Sequence, residues 1–247
     1  MGECTCFAPL FLYSALMISD WEMQIKSQIK RRYAQQAATQ SYDTNKLKNS
    51  GYPSDLIKKI PLNFVAQYSG CGYLFKDINF DGSETVLDLG SGSGVDSYIA
   101  SIFLDTGQVF SIDMTFEMLS NYNIHNIKPI CADIEYLPTR DSRIDMIIAN
   151  ASFNLSINKE KAFGEAFRVL KENGRLIMRD IIKVGDLPQE VLTDPLSFNT
   201  SLGGALDEKN LRSEMESVGF VDITISDHKP FSYVASVKIE AKKPLKY

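Results

Sequence analysis

The sequence predicts an α/β fold: a doubly wound, mostly parallel sheet with helices on both faces, closed by an antiparallel hairpin at the C-terminal end. Two observations carry this expectation. After Gly82, short apolar runs of strand length alternate with segments of helical period, the pattern of parallel strands joined by crossover helices. The first of these strands also runs straight into a glycine-rich turn, Gly90-Ser91-Gly92-Ser93-Gly94, at the kind of strand end where such sheets place a ligand. A chain of 247 residues suits one large core of this type better than two small ones.

The elements follow in order. Asp20 to Ala38 is rich in Gln, Lys, Ala and Ile and free of Pro and Gly, which predicts a helix. The polar stretch Thr39 to Gly51 breaks it, and Pro53-Ser54 opens a short helix that ends near Pro61. Strands are predicted at Thr85–Leu89, Gln108–Ile112, Ile127–Cys131, Ile144–Ala149 and Arg175–Ile182. Helices are predicted at Val95–Leu104, Thr115–Tyr122 and Lys159–Leu170, the last ended by Asn173-Gly174. Gln189–Asn199 and Asp207–Val218 add helical matter, and Phe220–Ile225 with Tyr233–Ile239 supplies the closing hairpin. The chain thus divides into an apolar N-terminal extension over 1–19, a helical cap over 20–82 and a ligand-binding domain over 83–247.

Composition narrows the function. A formal net charge of −5 argues against a broad phosphate-binding surface, so no nucleic-acid partner is expected. The one basic cluster, Lys26, Lys30, Arg31 and Arg32, reads as the wet face of an amphipathic helix. Cys4, Cys6, Cys71 and Cys131 are too few and scattered for a disulfide framework, and free thiols in a reducing cytoplasm are the simpler reading. With no CxxC pair and only His125 and His228 as imidazoles, no metal site is expected. The apolar run from Cys6 to Ile18 is too short to span a bilayer. It lacks the basic start of a signal peptide, and Cys6 stands where a myristoylation signal needs Ser or Thr. No integral membrane span is expected elsewhere.

The glycine turn is the first chemical signal. Glycines allow positive φ and close approach of backbone to a ligand, and a helix start offers free N–H donors. From Gly90 the sixth position is Val95, not the glycine of a dinucleotide loop, and the phosphate loop GxxxxGK[ST] is absent. S-adenosylmethionine, with its ammonium, carboxylate, ribose and adenine, answers the pattern better. Asp88, before the turn, can bind the ammonium through a charge-assisted hydrogen bond, while Gly90, Ser91, Gly92 and Gly94 pass against the methionine and ribose portions. Asp113, ending the second strand, suits the paired ribose hydroxyls. Asp133, after the third, suits the adenine amino group, between apolar walls at Met114 and Ile134. Asn150, ending the fourth strand, joins this set.

Taken together these stretches resemble a class I S-adenosylmethionine-dependent methyltransferase with a Rossmann-like fold, and more narrowly the arsenite methyltransferases. The likeness rests on VLDLGSGSG at Val86–Gly94, IDMTFEML at Ile112–Leu119, ADIEYLP at Ala132–Pro138 and EAFRVLKENGRL at Glu165–Leu176. SGCG at Ser69–Gly72 and SLGGAL at Ser201–Leu206 complete it. The resemblance implies an arsenic(III) centre held by cysteine thiolates, soft ligands for a thiophilic ion. Cys71 keeps one such position and is the candidate catalytic residue; the other two are Ala151 and Ser201.

Three readings follow. The first is a methyltransferase for a small-molecule acceptor on an arsenite-enzyme frame, with Ala151, Ser152, Asn154 and Ser201 lining the acceptor pocket. The second is an arsenite enzyme that combines Cys71 with external or N-terminal thiols. The third is a non-catalytic cofactor-binding partner protein.

Overall fold

The computed structural model describes residues 20–39, 43–120, 124–189, 191, 197 and 202–246. Seven strands form one sheet: β1 (Thr85–Leu89), β2 (Gln108–Asp113), β3 (Ile127–Cys131), β4 (Ile144–Asn150), β5 (Leu170–Lys183), β6 (Val221–Phe231) and β7 (Val234–Lys242). Their spatial order is β3-β2-β1-β4-β5-β7-β6. β1 to β5 pair in parallel, whereas β7 runs antiparallel between β5 and β6. Chain direction across the sheet reverses between β1 and β4, the crevice in which doubly wound sheets bind ligands.

The parallel strands are buried on both faces, and their alternation sorts side chains between two cores. Leu87, Leu89, Ile147, Ala149 and Met178 face one side with Phe163 and Ala166 of α6 (Lys159–Val169) and Leu211 and Met215 of α7 (Glu208–Ser217). Val86, Met146, Ile148 and Ile177 face the other with Val95 and Ile99 of α5 (Val95–Ile102). Short cap helices α2 (Asn45–Asn49), α3 (Ser54–Ile57) and α4 (Leu62–Val65) add Leu47, Ile57, Phe64 and Val65 to that second core, which therefore unites the cap with the sheet. The long helix α1 (Asp20–Ala38) buries Ile25 and Ile29.

Local chemistry sets several boundaries. Asn158 caps α6 by accepting from Lys161 N at 2.9 Å, and Asp207 caps α7 by accepting from Asn210 N at 2.8 Å, each worth about 1 kcal/mol. Asn173, at φ 60°, makes the turn expected of Asn173-Gly174, but it lies inside β5, which begins at Leu170 directly after α6. The helix expected at Thr115–Tyr122 is a single 3-10 turn at Phe116–Leu119. The polar stretch after α1 holds α2, and the segment after Pro53 is two short helices rather than one. The closing hairpin is longer than its apolar core suggested, turning at Ser232 with φ 58°. The apolar extension and most of the helix expected at Gln189–Asn199 lie outside the described residues. Among the described residues no helix is long and apolar enough to cross a membrane.

Candidate active site

The glycine turn is fixed to the end of the neighbouring strand. Gly90 N and Ser91 N both donate to Ile112 O at 2.8 Å, and Gly94 N donates to Ser91 O at 2.9 Å. Gly90, Gly92 and Gly94 hold φ of 71°, 52° and 90°, the left-handed region. At Gly90 space adds to the demand, since a Cβ there would stand 2.3 Å from Ser152 Cβ. Asp113 completes the tie: one carboxylate oxygen accepts from Gly92 N at 2.9 Å and the other from Thr115 N at 2.8 Å. Burial pushes its carboxyl above the usual range, and each oxygen keeps lone pairs toward the cleft.

That cleft, about 660 Å³, opens at the strand ends over the turn. Gly90, Gly92, Asp113, Met114, Asp133, Ile134, Asn150, Ala151 and Ser152 line it, so most of the candidate residues from the sequence converge there. Lys26, Ile29 and Tyr33, on one face of α1, form its cover. Lys26 corrects the reading of the basic cluster as a solvated face: its Nζ bonds Asp133 Oδ2 at 2.7 Å and also Glu135 Oε2. Glu135 is buried because it serves the far wall, where its other oxygen accepts from Ser156 Oγ at 2.8 Å, Ile157 N at 3.0 Å and Asn158 N at 3.1 Å. Its need for a nearby cation draws Lys26 inward.

Asp88 does not line the cleft. It is 1% exposed, lies beneath the turn and accepts from Ser97 Oγ at 2.5 Å, while Ser97 Oγ stands 2.6 Å from Ser111 Oγ. Burial, then the nearby Asp96, hold its carboxyl well above the usual range. The ammonium contact expected of Asp88 therefore has no open path, because the side chain that precedes the turn points into the packed layer under α5. Ser91 and Asp96 instead line a smaller cavity of about 280 Å³ that shares Ser69, Gly90, Gly92 and Asn150 with the main cleft.

The β4–β5 side is held by long-range contacts. Asn150 Oδ1 accepts from Cys71 N at 2.8 Å, and its Nδ2 donates to Gly72 O at 2.8 Å and Asp96 Oδ2 at 2.7 Å. Ser236 Oγ donates to Cys71 O at 2.8 Å. Cys71 is thus held by its backbone. Its thiol does not line the cleft, and burial, then the nearby Asp180, push it up to about 12. Ala151 keeps a left-handed φ of 58° and donates to Arg179 O at 2.8 Å; Ser152 Oγ donates to Leu89 O at 2.7 Å.

Asn154 is the other expected pocket residue that the fold turns away. The 3-10 turn at Phe153–Leu155 presents Leu155 and Ser156 to the cleft and Asn154 to a separate cavity of about 220 Å³ with Lys159, Asp180 and Gly204. Asp180 is raised to about 6 by burial, and it holds this turn by accepting from Asn154 N at 3.0 Å. Burial likewise lowers Lys159 to about 8; its Nζ donates to Asn154 O at 3.3 Å and to Ser156 O. Ser201 lies outside the described residues, as do Cys4 and Cys6.

Sequence reasoning missed Lys26, Tyr33, Ser69, Asp96 and Glu135. Helical spacing does put Lys26, Ile29 and Tyr33 on one face, but nothing in that spacing says which strand end the face covers.

A parallel sheet with an antiparallel C-terminal hairpin, a glycine turn without the phosphate-loop pattern and an aspartate at the next strand end define the S-adenosylmethionine-dependent methyltransferase class, Rossmann-like in fold. The chain belongs to the methyltransferase domain family, which matches residues 80–219. It is 32% identical over 200 residues to the arsenite methyltransferase of Aquipseudomonas alcaligenes, covering 75% of this chain and 57% of that one. It is 30% identical over 197 residues to the arsenite methyltransferase of Halobacterium salinarum, covering 71% and 50%. The chain spans about half the length of the curated relatives it matches. Among solved structures, the arsenic(III) S-adenosylmethionine methyltransferase of Chlamydomonas reinhardtii superposes with a TM-score of 0.62 at 26% identity, over 79% of this chain and 71% of that one.

Proposed function

We propose that the chain transfers the methyl group of S-adenosylmethionine to a small acceptor that is not thiophilic, bound against Ala151, Ser152 and Leu155. The donor reading is supported by the chemistry of the cleft: lone pairs of Asp113 for ribose hydroxyls, apolar walls at Met114 and Ile134 for adenine, and a turn open to close approach. When bound, the donor supplies an electrophilic methyl on its sulfonium. The chain's own part is to align an acceptor in line with that methyl and exclude water, and Tyr33 and Ile29 of α1 cover the cleft for this purpose.

One observation carries the acceptor reading: among the described residues no cysteine lines the cleft, and Ala151 stands where the resemblance to arsenite methyltransferases implies a second thiolate. The Cys71 thiol, held protonated at neutral pH, is a poor ligand for arsenic(III). The likeness to arsenite methyltransferases favours the competing reading, in which Cys71 acts with external thiols or with Cys4 and Cys6. Incubation with donor labelled in its methyl group and separate panels of arsenite, thiols, amines and phenols decides between them. Label is expected on an oxygen or nitrogen nucleophile. Methylarsenical formed from arsenite and excess thiol would select the second reading, and a protein that binds donor but labels no acceptor would leave the non-catalytic one.

A further inference from the structure

Glu135 touches both the cover of the cleft and its far wall. One carboxylate oxygen accepts from Ser156 Oγ, Ile157 N and Asn158 N, and so gathers the segment that follows the 3-10 turn at Phe153–Leu155. Leu155 and Ser156 line the cleft on its acceptor side, and Asn158 caps α6. The other oxygen takes Lys26 Nζ from α1, and the same ammonium bonds Asp133 Oδ2 at 2.7 Å. Asp133 Oδ1 in turn accepts from Glu135 N at 3.0 Å, so the two acids are set beside each other for one cation. The far end of α1 is tied to the cap by a reciprocal amide pair: Gln36 Nε2 donates to Gln67 O at 3.0 Å, and Gln67 Nε2 to Ala37 O at 2.5 Å. Between these two attachments Ile29 and Tyr33 lie over the cleft.

We propose that Lys26 and Glu135 are positioning residues that couple closure of α1 over the methyl donor to the shape of the acceptor wall. The coupling rests on the donor reading above and adds an order to it: the donor binds first, and its closed cover completes the wall that receives the acceptor. The physical reason lies in the burial of Glu135. When α1 lifts to admit the donor, Lys26 leaves, and a buried carboxylate without its cation must turn toward water or take up a proton. Either response weakens its hold on Ile157 N and Asn158 N. When Lys26 returns, the charge is paired again and the segment carrying Leu155 and Ser156 is drawn back into place. Closure and wall order therefore favour each other, in the reciprocal sense that linkage requires.

Hydrogen exchange read by mass spectrometry on the full chain, with and without saturating S-adenosylhomocysteine, tests the coupling. In wild type the ligand is expected to slow exchange in two places, α1 around Lys26 and the amides of Ile157 and Asn158. In Lys26→Met at saturating ligand the protection of Ile157 and Asn158 should be lost, and S-adenosylhomocysteine should leave at least about 10-fold faster. Lys26→Arg, which keeps the charge, should recover most of both effects. Equal protection of Ile157 and Asn158 in wild type and Lys26→Met would overturn the coupling, as would an unchanged release rate. A wild-type chain that does not bind S-adenosylhomocysteine would overturn the donor reading itself, whereas binding with no change at Ile157 and Asn158 removes only the coupling.

Discussion

The two sides of the cleft are held together by different means. At the ends of β2 and β3 each aspartate takes an amide two positions away, Asp113 that of Thr115 and Asp133 that of Glu135, beside one more distant partner, Gly92 and Lys26 respectively. At the ends of β4 and β5 the anchors come from far along the chain: Asn150 holds Cys71 across 79 positions, and Ser236 holds it across 165. Arg179, wholly buried, pairs with Asp227 of β6. The first side thus includes local turns in which each acid meets an amide of its own loop. The second is an agreement between distant segments, and it holds Ala151, where the resemblance to arsenite methyltransferases implies a cysteine. A motif that carries its own partners is hard to alter piecemeal, whereas a wall assembled from several segments can change its acceptor chemistry while the scaffold stays in place.

Gly90 is where the two sides touch, so its substitution is the largest break. Gly90→Ala places a Cβ against Ser152 and forces a side chain onto a φ of 71°. The expected loss is about 1–3 kcal/mol for overpacking and about 1–2 kcal/mol for the left-handed backbone, with donor binding lost as well. Adding Ser152→Gly should recover the packing part alone. Thermal unfolding of the single and double variants measures both, and an unperturbed Gly90→Ala would mean that the sides are independent.

Asp113→Ala tests the first side. It removes the tie to Gly92 together with the carboxylate proposed to accept from the ribose hydroxyls, so S-adenosylhomocysteine affinity should fall by about 1.5–3 kcal/mol in calorimetry. Unchanged affinity would detach the end of β2 from the donor site.

Lys159 tests the assembled side through pH. Its folded pKa, about 8, lies below the ordinary value of 10.5, so between those limits the unfolded chain binds the extra proton. Stability from this group therefore rises as pH goes from 8 to 10.5, by an amount on the order of 2 kcal/mol. Denaturant unfolding of wild type and Lys159→Met at pH 7.5 and pH 10 should show the rise in wild type only; parallel curves would place Lys159 in water.

Much of this division could be read before the structure. The strands along the chain, the glycine turn and the position of Asp113 and Asp133 at strand ends are legible because hydrophobic period and turn chemistry are local. The surroundings of Asp88 are not local information: strand alternation says that its side chain alternates with Leu87 and Leu89, but not whether its face meets ligand or helix, and here it meets Ser97 of α5. Lys26 looked solvated because its partners, Asp133 and Glu135, lie more than a hundred positions away. The turn of Asn154 away from the cleft depends on Asp180, which no local pattern connects to it.

The smallest effect concerns the two described cysteines. Cys131 is exposed at the end of β3, with its sulfur 3.8 Å from Met114 O, whereas Cys71 is half-buried and its thiol is pushed up to about 12 by its surroundings. At pH 7 that keeps the Cys71 thiol protonated, and alkylation proceeds through the thiolate. Brief iodoacetamide treatment of the native chain, followed by peptide mass spectrometry, should modify Cys131 and leave Cys71 intact until the chain is unfolded. Cys71→Ser should then change donor affinity by less than about 0.5 kcal/mol, since the backbone contacts to Asn150 and Ser236 survive the exchange. Native labelling of Cys71 at the rate of Cys131 would instead open its sulfur to ligand. It would join the assembled side to thiolate chemistry after all, and the case for an acceptor other than arsenite would weaken at its one sulfur-bearing point.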